Sequence, residues 1–216
     1  MLLAVLLAST PASAGPSFPC DKAQSRVEKT ICADAELSDL DEHLGRYYAG
    51  ARQALADAAE CFTVTQRQWL RTVRDACADA ACLKTAYLAR LSELDALQPG
   101  ATAIKAFPLP HGPALAWIIP AALDQVAAPP KPNARPLVAQ GTLVDEVATG
   151  DGFVLRTREG QSYLLALLMF LGGESATRLT VLAKYPQATY LARGYADTAG
   201  QTYFEPSRCV FIYRLP

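Results

Sequence analysis

Histidine is nearly missing from this 216-residue chain. Only His43 and His111 occur, far apart in sequence, which leaves His-based metal sites and Ser/His/Asp chemistry short of parts. Charge of one sign is missing too, since 20 Lys+Arg stand against 21 Asp+Glu. Without a basic excess to hold phosphate backbones, nucleic acid is not an expected partner. The chain has no G-x-S-x-G and no phosphate-binding glycine motif, so a serine hydrolase or nucleotide enzyme has no foothold. Long apolar runs are absent after the first residues. The longest, Leu164 to Leu171, falls far short of the ~20 residues needed to cross a bilayer. No catalytic residue, cofactor or metal is implied, and the expectation is a protein that is not an enzyme.

What is present begins with the N-terminus. Met1 to Ala14 reads MLLAVLLASTPASA, an apolar run followed by small residues ending in Ala12-Ser13-Ala14. That pattern fits a secretory signal with an A-x-A cleavage site, so residues 1–14 are expected to be removed. No Lys or Arg occurs before Lys22, so the usual positive start of a signal is lacking. A periplasmic or secreted protein is expected. Cys20 follows Ser17-Phe18-Pro19 rather than small residues joined to the apolar run, so a lipid anchor is not expected. In an oxidising compartment the even set Cys20, Cys32, Cys61, Cys77, Cys82 and Cys209 reads as a disulfide framework. Zinc is disfavoured, because Cys77-x4-Cys82 has neither a second close pair nor a neighbouring His.

The chain has two halves, and the overall class is α+β. In residues 15–99, Leu37, Leu40, Leu44, Tyr48, Ala51 and Leu55 step by three or four, one stripe of an amphipathic helix capped by Asp34. Ser25 can cap a short helix from Arg26 to Ile31. A further helix is expected from about Val64 to Ala76 with Trp69, Leu70 and Val73 inward. Another starts near Cys82, with Leu83, Tyr87, Leu91, Leu94 and Leu97 on one side. Residues 100–136 carry Pro108, Pro110, Pro113, Pro120, Pro129, Pro130, Pro132 and Pro136. They read as linker, with room for a strand or turn only at Ala114–Ile119. In residues 137–216 short apolar segments alternate with turn signals: Leu137–Val144, Gly152–Thr157, Tyr163–Phe170, Leu179–Lys184, Thr189–Tyr195 and Cys209–Leu215. This grammar predicts a small all-β domain, an antiparallel barrel or sandwich. Its glycine and strand pattern resembles an OB-type barrel.

The helical half carries a more specific resemblance. Its order runs Ser17-Phe18-Pro19-Cys20, Glu28-Lys29-Thr30-Ile31-Cys32, then Glu36-Leu37-Ser38-x-Leu40-Asp41. Gln66-x-x-Trp69-Leu70, Arg74-x-x-Cys77, Cys82-Leu83, Tyr87 and Arg90 follow. Over residues 17–97 this resembles the N-terminal domain of the exported LprI-type lysozyme-inhibitor family. The resemblance implies a disulfide-bonded helical domain and, as a partner, a lysozyme or other cell-wall hydrolase. It brings no catalytic residues. Cys61 and Cys209 lie outside the four cysteines of that pattern.

Geometry narrows the pairing without closing it. Cys77 and Cys82 bracket a short turn and can meet. Cys20 and Cys32 can meet only if residues 20–25 fold back, because a straight helix separates them. Cys61 and Cys209 would then clamp the halves together. The competing assignment joins Cys20 to Cys77 or Cys82.

Several side chains invite a functional reading. Asp39, Asp41 and Glu42 cluster on the long helix, and paired carboxylates serve glycoside chemistry. Yet Asp39 and Glu42 should face outward, and Asp41 should pair with Arg74 or Arg90 to fix packing. Trp69 is expected in the core, His43 in solvent and His111 in a loop. Asp39, Glu42 and Asp79 are the candidate partner-binding residues against a basic lysozyme, although residues 15–99 carry only 13 acidic against 10 basic side chains. The competing function is an envelope adaptor whose β half, with its aromatic residues near strands, binds glycan or protein.

Overall fold

The computed structural model describes residues 15–97, 108–121, 135–149, 152–197 and 202–216. The expected leader, the boundary at Pro99 and much of the Pro-rich stretch lie outside the described residues.

Four helices make the first half: α1 (Arg26–Ala33), α2 (Ala35–Ala54), α3 (Ala59–Trp69) and α4 (Ala80–Asp95). Each of three begins on the side chain that its sequence supplies. Ser25 Oγ accepts from Glu28 N at 3.0 Å while the Glu28 carboxylate accepts from Ser25 N at 2.9 Å, a reciprocal capping box. Asp34 accepts from Leu37 N at 3.1 Å and Asp79 from Cys82 N at 2.8 Å. The backbone N–H groups of Ser25 and Gln24 hold the Glu28 carboxyl below its ordinary range.

Cross-links between side chains set the packing direction. Tyr87 donates to Asp41 at 2.6 Å, and Tyr47 to Asp95 at 2.9 Å. Partner numbers rise together, so α2 and α4 run parallel. Arg90 donates to Gln66 Oε1 at 3.0 and 2.9 Å, and Trp69 meets Tyr87 edge-on at 5.6 Å. There the numbers run oppositely, so α3 is the returning helix. Leu37, Leu40, Leu44, Ala51 and Leu55 are buried between them. Tyr47 is buried as well, while Tyr48 stacks on Phe62 at 5.2 Å.

One turn departs from the expected period. After Trp69 the chain makes a π-helical turn, Leu70–Arg74, closed by Asp75 N donating to Leu70 O at 2.9 Å. A π turn brings residue i+5, not i+4, over residue i. Arg74 therefore takes the inward place expected for Val73: its side chain is 14% exposed, whereas Val73 is 42% exposed.

The second half is one antiparallel sheet in the order β1-β6-β5-β2-β3-β4. Its strands are β1 (Ala114–Ile119), β2 (Pro136–Glu146), β3 (Gly152–Arg156), β4 (Ser162–Ala166), β5 (Tyr190–Tyr195) and β6 (Val210–Arg214). β1 ends the pairing at β6, but β4 is not a free edge. Leu164 N donates to Thr202 O at 2.9 Å, Phe204 N donates to Leu164 O at 3.0 Å, and Phe204 bridges Ala196 just past the end of β5. Residues 202–204 thus link β4 back towards β5. This half is not all-β. Leu179–Lys184, expected as a strand, belongs to a helix, α5 (Gly173–Ala183). Its Thr and Val residues favour strands, but Ser175, Leu179, Leu182 and Ala183 have helical spacing and bury against the sheet. Similarly, Leu168–Phe170 leaves strand geometry for a 3-10 turn.

Burial on both sides explains the uninterrupted apolar run of β1. Trp117 faces α5 and donates its Nε1–H to Ser175 at 3.1 Å, while α4 covers the other face. Gly141 in β2 is required by close approach: a Cβ there would stand 2.1 Å from the Arg156 carbonyl oxygen. Helices and sheet share one continuous core running from Val27 to Ile212.

Two buried phenols make this fold sensitive to alkali. Burial, then the bond to Asp95, pushes Tyr47 up from 10.0 to about 12. Burial and the Asp41 charge also push Tyr87 up. A raised phenol stabilises the fold fully below the unfolded value, and that contribution is lost as pH climbs through the folded value. Denaturant midpoints are therefore expected to hold below pH 10 and fall steeply towards about pH 12. Replacing Tyr47 with Phe should flatten that fall. An unchanged slope in the variant would show that Tyr47 is not the group responsible.

Candidate functional site

The start of α2, the start of α4 and all of α1 meet at one end of the helical half, and two disulfides lie there. The 3-10 turn Cys20–Lys22 folds back so that Cys20 bonds Cys32, with Cα atoms 5.8 Å apart. Cys77 bonds Cys82 with Cα atoms 5.4 Å apart, closing a six-residue loop. The third bridge, Cys61–Cys209, ties α3 to the sheet across 148 residues of sequence, and no described cysteine is free.

The Cys77–Cys82 loop is held from behind. Arg26 donates through Nη1 to Ala78 O at 2.5 Å and through Nη2 to Cys77 O. Lys84 pairs with Glu36 across the same end. Ala78, Asp79 and Ala81 remain exposed at the tip. The result is a small projecting loop whose backbone is fixed by a covalent bond and a guanidinium. Its entropy of ordering is spent before any partner arrives.

The three acidic candidates are not brought together. Asp79 caps α4 at this tip. Asp39 and Glu42 lie farther along α2, on a flank away from α4, since Asp41 between them is the residue that faces α4. Glu42 is engaged by Arg46 at 2.6 Å and by His43 at 3.4 Å. Asp39 has no ion-pair partner among the described residues. Asp41 does not pair with Arg74 or Arg90 as expected. Its carboxylate accepts from Tyr87, from Ser17 N at 2.8 Å and from Ser17 Oγ at 2.6 Å, while Arg90 pairs with Glu93 at 2.7 Å and Arg74 with Asp75 at 2.8 Å. Trp69 is a packing residue against Tyr87.

Sequence reasoning missed Arg26, whose two carbonyl acceptors lie about fifty residues away in the chain. A lone Arg in a helix's first turn carries no signal of such a role. Among the described residues no group of three or more His, Cys, Asp or Glu is placed to hold a metal ion.

No protein-family model matches the chain, and no solved structure matches it. The lipoproteins LprI of Mycobacterium bovis and of two Mycobacterium tuberculosis strains do, at 34% identity over 96 residues. The chain is distantly similar to LprI. The match covers 42% of this chain and 47% of LprI, so the chain spans about half the length of the curated relatives it matches. Among the described residues no helix is long and apolar enough to cross a membrane.

Proposed function

We propose that this protein is an exported, non-catalytic binder of a cell-wall hydrolase, a lysozyme in the first instance, and that it acts by occlusion. The similarity to LprI is the observation that carries this reading. The lysozyme-inhibitor family resembled by residues 17–97 supplies the partner class. The physical support is the end of the helical half, where two disulfides and Arg26 hold an exposed loop in one shape. A preformed loop entering a lytic cleft would lose little freedom on binding. Export to the periplasm or outside the cell, after removal of residues 1–14, belongs to the same proposal.

Electrostatics divides the acidic candidates by what already holds them. Glu42 is spent on Arg46 and His43, whereas Asp39 is unpaired among the described residues and Asp79 is exposed at the loop tip. Against a basic lysozyme, Asp39→Lys and Asp79→Asn should each slow association roughly threefold to tenfold, and Glu42→Gln much less. Asp79→Asn keeps a side-chain cap on α4, so its effect reads charge rather than folding.

The test titrates the oxidised protein, residues 15–216, against hen-type lysozyme and follows lysis of bacterial cell walls. Saturable inhibition that tracks protein concentration is the expected result. Full lysis at a large molar excess removes lysozyme as the partner. The envelope-adaptor reading would then come forward, and binding of the protein to intact cell walls would examine it.

A further inference from the structure

A cleft of about 310 Å³ lies where the C-terminal half of α4 meets the sheet. Glu93 on α4, the Pro110–Pro113 loop, and Arg193 and Tyr213 on neighbouring strands β5 and β6 border it. From the start of α4 it is about 20 Å along the helix axis, so it is separate from the disulfide-held loop.

The walls are preformed. Ser92 Oγ donates to the Pro110 carbonyl at 2.6 Å, which fastens the loop to α4, and its prolines restrict the backbone further. Pro110, Pro113 and the Tyr213 ring supply apolar surface. Such a volume suits a small molecule rather than a polymer.

The charges are unequal. Glu93 is already satisfied: Arg90, only 6% exposed and itself bonded to Gln66, pairs with it at 2.7 Å. Burial and the Glu93 charge push the Tyr213 hydroxyl up and keep it protonated, and its hydrogen bond goes to Glu93, so Tyr213 offers the cleft its ring. Arg193 is different. It is exposed, its guanidinium carbon sits 5.3 Å from the Tyr213 ring centroid, and no carboxylate pairs with it among the described residues. Counting Arg90, Glu93 and Arg193, the cleft holds one cation in excess.

We propose that this cleft binds a small ligand by its carboxylate, with Arg193 as the receptor and Tyr213, Pro110 and Pro113 packing its body. A guanidinium held against an aromatic ring keeps its outer edge free, and that edge matches the two oxygens of a carboxylate. One excess cation balances one negative charge. A phosphate carries more charge and would want a lysine or a helix N-terminus, and the cleft offers neither. The body that fits is amide-bearing and small, either the end of a peptide or an acylated sugar acid.

The experiment records amide chemical shifts of the whole oxidised chain during titration with four probes. Acetyl-alanyl-alanine and N-acetylmuramic acid carry the carboxylate; acetyl-alanyl-alanine amide and N-acetylglucosamine are their uncharged counterparts. Saturable shifts at Arg193, Tyr213 and Gly112 with at least one acid, and not with its counterpart, are expected with Kd near or below about 1 mM. Which acid binds tells peptide from sugar. Arg193→Gln should weaken that binding about tenfold or more, and Arg193→Lys should restore only part of it. Arg193 is exposed, so both variants should keep the wild-type melting temperature. The proposal falls if neither acid saturates by about 10 mM, if the uncharged counterparts bind equally, or if Arg193→Gln binds like the wild type. Lysozyme inhibition reads a different surface, so either idea can fail alone.

Discussion

Replacing Cys61 and Cys209 together with alanine is expected to lower the unfolding free energy by about 5 kcal/mol, because the bridge closes a loop of 148 residues. Loop-closure entropy grows only with the logarithm of loop size, so the other bridges rank well below it. Cys20–Cys32, at a separation of 12, should contribute about 3 kcal/mol and Cys77–Cys82, at 5, about 2 kcal/mol. These are chain-entropy values, and residual structure in the unfolded state lowers each of them. The ranking is the test. Equilibrium denaturation of the three paired-alanine variants should place Cys61/Cys209 lowest. If its loss proved the mildest, the bridge would not be what joins helices to sheet. The shared core across β1, α4 and α5 would then hold the halves unaided.

The next largest effect is expected at Asp41. Its carboxylate is 5% exposed and takes three hydrogen bonds, two of them from Ser17, which fasten the N-terminal segment to α2. Asp41→Ala leaves the Tyr87 hydroxyl, buried at the centre of the helical core, without its acceptor. Bonds to a charged acceptor contribute about 1.5–3 kcal/mol each, and stranding a buried donor adds cost, so a loss of about 4 kcal/mol is expected. In a chain of this size that amounts to a fall of roughly 10 °C in Tm. Tyr87→Phe should cost about 2 kcal/mol, because the carboxylate keeps its Ser17 donors. In the double variant Asp41→Ala/Tyr87→Phe no hydroxyl is left stranded, so the loss should be smaller than the sum of the singles. Strict additivity would mean the Tyr87–Asp41 bond contributes nothing. Ser17 exposes the same network from its other side, since Ser17→Ala removes one donor and keeps the backbone one.

Electrostatically the two candidate surfaces differ in kind. The disulfide-held loop presents backbone and one acid in a fixed shape, the form of surface that blocks a cleft. The cleft beside α4 presents one unsatisfied cation between apolar walls, the form that selects a small anion. Both depend on groups whose own charges are satisfied elsewhere: Arg26 by carbonyls, Glu93 by Arg90. A satisfied neighbour leaves the remaining group free to recognise something else.

Where a feature depends on local chemistry, the amino-acid sequence determined it. The three capping residues Ser25, Asp34 and Asp79 act within four residues of themselves, and each starts a helix. The apolar stripe of α2 and the strands β2, β3, β5 and β6 follow from spacing alone, because a periodic face must be buried whatever buries it. The short strand β1 could be located in the Pro-rich stretch because Ala114–Ile119 is an unbroken apolar run between Pro113 and Pro120. Only the tertiary structure decided what lies across the chain. The π turn after Trp69 gives Arg74 the place that regular spacing assigned to Val73, since one extra residue in a turn leaves no mark in composition. α5 is helical because the sheet face it covers needs a broad apolar partner, which outweighs the strand preference of its Thr and Val residues. β1 is an edge because it pairs only with β6 and is shielded by two helices instead of a further strand, whereas β4 is linked back towards the end of β5 by residues 202–204. Arg193, Tyr213 and Glu93 are far apart in sequence, and no spacing rule connects them; the pairing of β5 with β6 and the docking of α4 put them around one cleft.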